Sequence, residues 1–70
     1  MLTKQQMQQL ENFKTPTLVN FSKQGRNTIQ LVKADLRGYE TPVWVNADIM
    51  VVYSEEFIEE WAEEFKVICE

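Results

Sequence analysis

The 70-residue chain contains no histidine, one cysteine, two glycines and two prolines. Each scarcity excludes something. Histidine is the side chain that most often moves protons near neutral pH, and without it no serine, threonine or cysteine has an imidazole to activate it. One cysteine and a set of carboxylates make poor zinc ligands. The only glycines are Gly25 and Gly38, so neither G-x-x-x-x-G-K nor G-x-G-x-x-G is present. The lone Cys69 forms no internal disulfide, which fits a reducing compartment. No run of about 18 apolar residues exists, and Met1 to Gln6 lacks the apolar segment of a secretory signal. The expectation is a cytoplasmic protein that is not an enzyme, with no metal, cofactor, small-molecule substrate or membrane partner.

What is present is globular in character. Hydrophobic residues make up 44% and aromatic residues 11% of the chain, too many for a disordered tail. A single domain spanning residues 1–70 is expected. At this length a domain buries only about 60% of its unfolded surface, so dimerisation would add useful stability.

The net charge of −4 is unevenly distributed. Up to Tyr53, six basic residues (Lys4, Lys14, Lys23, Arg26, Lys33 and Arg37) outnumber Glu11, Asp35, Glu40 and Asp48. From Ser54 onward Lys66 stands alone against seven glutamates. A mildly basic middle is therefore joined to a strongly acidic end.

Thr3 followed by Gln6 has capping-box spacing, and Leu2 and Met7 occupy the staple positions. Met7, Leu10 and Phe13 then recur at helical spacing before the Lys14-Thr15-Pro16 break, so a helix over roughly 4–13 is expected. Two β-prone runs, Thr17–Ser22 and Thr28–Val32, flank a polar stretch with a glycine and read as a hairpin. The second run has an alternative, a helix capped by Asn27 and stopped at Gly38. After Pro42, Val43, Val45, Ala47, Ile49, Val51 and Tyr53 alternate at period two. Either one long strand runs from 43 to 53, or Asn46-Ala47-Asp48 divides it in two.

The last third, Ser54–Glu70, reads SEEFIEEWAEEFKVICE. Ser54 is a helix N-cap, Glu55 and Glu56 suit the positive end of a helix dipole, and Phe57, Ile58, Trp61, Ala62, Phe65, Ile68 and Cys69 make one apolar arc. An acidic amphipathic helix is expected, with Cys69 in its last turn. The fold class is therefore α+β: an N-terminal helix, an antiparallel sheet of three or four strands, and a C-terminal acidic helix.

Glu55, Glu56, Glu59, Glu60, Glu63 and Glu64 are the candidate partner-binding residues. On a continuous helix they form four like-charge i, i+4 pairs, each unfavourable by roughly 0.2–0.5 kcal/mol. That is an appreciable cost for a small domain. The helix would carry one carboxylate per about 2.5 Å of axis, against one phosphate per about 1.7 Å of duplex DNA. In size, acidity and carboxylate layout, the stretch Ser54 to Glu64 resembles the small acidic DNA-mimic inhibitors that bacteriophages direct against host proteins. The resemblance implies a basic nucleic-acid-binding partner, such as a histone-like nucleoid protein, met in the host cytoplasm. Such mimics are usually more acidic overall, and the basic middle of this chain departs from them.

Two other readings compete. The glutamates are the solvated side of a surface helix, or a homo-oligomer pairs them with Lys23, Arg26, Lys33 or Arg37 of another subunit. Trp44, on the mixed face of its strand, is the candidate self-association residue alongside Lys23 and Arg26. Direct nucleic-acid binding by the basic middle, with Phe21 or Tyr39, is disfavoured by the nearby acidic helix.

Overall fold

A computed structural model describes residues 1–70. The order of elements is α1 (Lys4–Asn12), β1 (Thr17–Lys23), β2 (Asn27–Ala34), β3 (Val43–Asn46), β4 (Val51–Tyr53), α2 (Glu55–Trp61) and β5 (Glu64–Cys69). The α+β expectation holds, with the N-terminal helix, the hairpin and a helix capped by Ser54 all in place. The sheet has five antiparallel strands in the order β4-β3-β2-β1-β5.

The expected capping box is formed in full. Gln6 N–H donates to Thr3 Oγ1 at 3.1 Å, and Thr3 N–H donates to Gln6 Oε1 at 2.8 Å. Two of the donors that a helix start leaves unpaired are thereby satisfied. The β1–β2 turn places Gln24 (φ 56°) and Gly25 (φ 67°) in the left-handed region, the sense that suits a right-twisted hairpin. Residues 27–34 are strand and not helix, paired with β1 from Thr17↔Lys33 to Lys23↔Asn27. The stretch 43–53 is two strands, and Asn46 Oδ1 accepts the Asp48 N–H at 3.0 Å where the chain turns.

The acidic C-terminal segment differs from its expected form. The helix ends at Trp61, Ala62 is already extended (φ −74°, ψ 143°), and 64–69 form an additional strand. The reason lies in the topology. Strands β1 to β4 form a meander, which leaves the outer edge of β1 open, and an open edge presents unpaired backbone groups. To reach it from β4 the chain crosses four strand spacings of about 4.8 Å. A helix of seven residues covers about 10 Å of that, and extended residues at either end supply the rest. β5 then closes the edge and brings Phe65 beside Phe21 and Phe13, with ring centroids 6.0 and 6.1 Å apart.

Both helices cover the same face of the sheet. Leu2, Leu10, Ile58 and Ala62 pack on Val19, Phe21, Leu31 and Trp44, with Met7, Phe13, Ile29, Tyr53 and Phe65 around them. Leu2 N–H donates to Glu59 O at 2.8 Å and ties the N-terminus to α2. Beneath the end of α1, buried Lys33 donates to the carbonyl oxygens of Leu10 and Glu11. A cation at a helix C-terminus meets the negative end of the dipole, so this charge is structural.

Candidate functional site

Only four of the six candidate glutamates share the α2 surface. At about 100° per residue, Glu55, Glu59, Glu56 and Glu60 follow one another around an arc of about 140° on the side away from Ile58. Glu55, Glu56 and Glu60 are exposed and Glu59 is half-buried. They occupy six consecutive helical residues, or one carboxylate per about 2.2 Å of axis, still close to the spacing of DNA phosphates. No basic residue lies in the last turn.

Glu63 and Glu64 lie off the helix. Glu63 Oε1 accepts the Gln24 N–H at 2.7 Å, and Ser22 Oγ donates to Glu64 Oε1 at 3.2 Å. Glu63 therefore joins the α2–β5 corner to the β1–β2 turn, and Glu64 bonds its cross-strand partner near the end of β1. Two like-charge helical pairs remain, Glu55 with Glu59 and Glu56 with Glu60, so the repulsion falls to roughly 0.4–1 kcal/mol.

Beside the carboxylates runs an aromatic ladder whose helical members, Phe57 and Trp61, belong to the expected apolar arc. Tyr53, Phe57 and Trp61 succeed one another along β4 and α2, with ring centroids 5.4 Å and 6.3 Å apart and the last two rings within 13° of parallel. Phe57 is 39% exposed, and Tyr53 and Trp61 are half-buried. On the helix surface Phe57 lies about 60° from Glu60, so ring and carboxylate are neighbours.

Trp44 is not available to a partner. It is 4% exposed and meets Phe21 edge to face at 5.3 Å, because its side of β3 is the side the helices cover. Lys23 is half-buried and Arg26 exposed at the β1–β2 turn, the same turn that Glu63 holds. Part of the acidic segment is thus brought to the basic hairpin within one chain. Cys69 is an exposed thiol near the end of an edge strand, not part of a helical turn.

The other face of the sheet carries no helix. Directly paired residues Leu18, Val32, Val45 and Val52 make an aliphatic row across β1 to β4. A polar row beside it pairs Lys66, Asn20 and Gln30. Val45 is only 3% exposed, so the accessible part of the row is the half-buried Leu18, Val32 and Val52. Ile49 and Met50, at 61% and 69% exposed, form the tip of the β3–β4 turn. No helix is long and apolar enough to cross a membrane, and no three His, Cys, Asp or Glu side chains are placed to hold a metal ion.

Comparison with protein-family models, with curated proteins and with solved structures finds no match. The functional reading therefore rests on the surface chemistry of the chain itself.

Proposed function

We propose that the chain is a non-enzymatic protein-binding module whose α2 face engages a basic surface of a nucleic-acid-binding protein and inhibits it by occupying its DNA site. One observation carries the reading: Glu55, Glu56, Glu59 and Glu60 form a continuous arc at near-phosphate spacing, with no cation in the last turn of the helix. A groove that holds a phosphate backbone presents lysine and arginine to just such a surface, and encounter is accelerated by the opposite fields. On this reading the site is the four glutamates that α2 carries, because Glu63 and Glu64 lie off the helix and bond the β1–β2 hairpin. The experiment is displacement of labelled duplex DNA from a histone-like nucleoid protein, compared for the wild-type chain and a variant with all four α2 glutamates changed to glutamine. Displacement by the wild type alone supports the reading.

A second reading has its own observation. The half-buried aliphatic residues Leu18, Val32 and Val52 on the helix-free face suit a homodimer packed sheet to sheet, in which the α2 carboxylates are merely solvated. Sedimentation at low and high salt tests it. An apolar dimer persists as salt rises, whereas one held by charge weakens.

A further inference from the structure

The acidic arc accounts for attraction to a cationic surface but not for the exposed rings beside it. Phe57 is 39% exposed on a helix whose neighbouring positions Ile58 and Ala62 are buried, so the chain has an apolar position open to solvent within reach of its core. Tyr53 and Trp61 hold the Phe57 ring from both sides, at 5.4 Å and 6.3 Å. The result is an aromatic row in which Phe57 and Trp61 lie within 13° of parallel and Tyr53 is tilted by 48° from Phe57, with Glu60 about 60° around the helix from Phe57 and the sheet edge at Val51, itself 43% exposed, beyond Tyr53.

We propose that Tyr53, Phe57 and Trp61 form a stacking platform for arginine side chains of the protein that docks on α2. This deepens the proposed function and rests on its acidic-face reading. A guanidinium is planar, weakly hydrated and able to lie on an aromatic face while its N–H groups reach a carboxylate at the border. An ammonium is strongly hydrated and offers no plane to stack. The pairing of the Phe57 ring with Glu60 therefore selects arginine over lysine at equal charge. Charge complementarity also decides against other occupants: the same carboxylates repel anionic lipid headgroups and phosphate backbones.

The test is calorimetric titration of the whole chain with hexa-arginine and hexa-lysine peptides at low salt. The wild type binds both peptides and prefers arginine by about fivefold. Phe57→Leu and Phe57→Met, which keep apolar bulk but remove the ring, bind both peptides within about twofold of each other, while Phe57→Tyr retains the preference. Thermal unfolding of each variant identifies those that are folded, and two ring-removing variants guard against the loss of one. Glu56→Gln combined with Glu60→Gln weakens both peptides together. If the arginine preference survives removal of the ring, or is missing in the wild type, the platform is overturned and the acidic-face reading stands. If the wild type binds neither peptide, both are overturned. Phe57-dependent self-association without peptide binding assigns the platform to a second copy and also overturns the proposal.

Discussion

The Glu63 carboxylate accepts the backbone N–H of Gln24 at 2.7 Å, across a separation of 39 residues. This bond removes Glu63 from the acidic face and makes it a fastener between the α2–β5 corner and the β1–β2 turn. The structure thus divides a run of glutamates that looks uniform in sequence into members on the open α2 surface and members held by the β1–β2 hairpin.

That division is measurable. Glu63→Gln and Glu64→Gln together leave partner capture unchanged, because neither side chain lies on the α2 arc. An amide oxygen still accepts the Gln24 N–H, so unfolding free energy changes by no more than about 0.5 kcal/mol in urea titration. Glu56→Gln with Glu60→Gln, by contrast, removes most of the capture while the fold is retained.

A stability gain at the expense of binding is expected on α2. Glu60→Lys converts the repulsive Glu56–Glu60 pair into an attractive one and places a cation in the last turn, where the dipole favours it. Unfolding free energy rises by about 0.5–1 kcal/mol, read as a higher denaturation midpoint at unchanged slope. Capture of a basic partner falls in the same variant.

Much of the fold is legible in the sequence where local signals agree with tertiary demand. Thr3 and Gln6 specify the start of α1 by their own hydrogen bonds, and Gly25 marks the β1–β2 turn at a position with φ 67°. The end of α2 is not legible, because no glycine or proline stops it and Glu63 and Glu64 continue a favourable helical pattern. What ends it is non-local: the open edge of β1 recruits 64–69, and Phe65 gains contact with Phe21 and Phe13. Trp44 illustrates the same limit. Val43, Trp44 and Val45 are all apolar, and only the placement of both helices decides which side of β3 is covered. The aromatic ladder needed the structure as well, since helical spacing brings Phe57 and Trp61 together without saying that Phe57 stays partly exposed.

The two tryptophans report that difference in burial. Trp44 is 4% exposed, whereas Trp61 is half-buried on the platform. In Trp61→Phe the remaining Trp44 emission is blue-shifted and resists acrylamide. In Trp44→Phe the remaining Trp61 emission is red-shifted and quenched more strongly, and it responds to bound peptide.

Lys33 anchors α1 through hydrogen bonds of 2.9 Å and 2.7 Å to the Leu10 and Glu11 carbonyl oxygens. Lys33→Met keeps most of the buried stem and removes both charge-assisted bonds. A loss of about 1–3 kcal/mol is expected in urea titration, large for so small a domain. Binding to α2 is unaffected under conditions where the variant is folded.

The central claim is that the α2 carboxylates stand in for a phosphate backbone, and competition with DNA tests it most directly. Immobilised chain is exposed to bacterial lysate with and without excess duplex DNA, and retained proteins are identified by mass spectrometry. The account predicts that the wild type retains basic nucleic-acid-binding proteins, that duplex DNA releases them, and that the variant with Glu55, Glu56, Glu59 and Glu60 changed to glutamine retains none. Retention that is indifferent to DNA, or undiminished by the four substitutions, would contradict it.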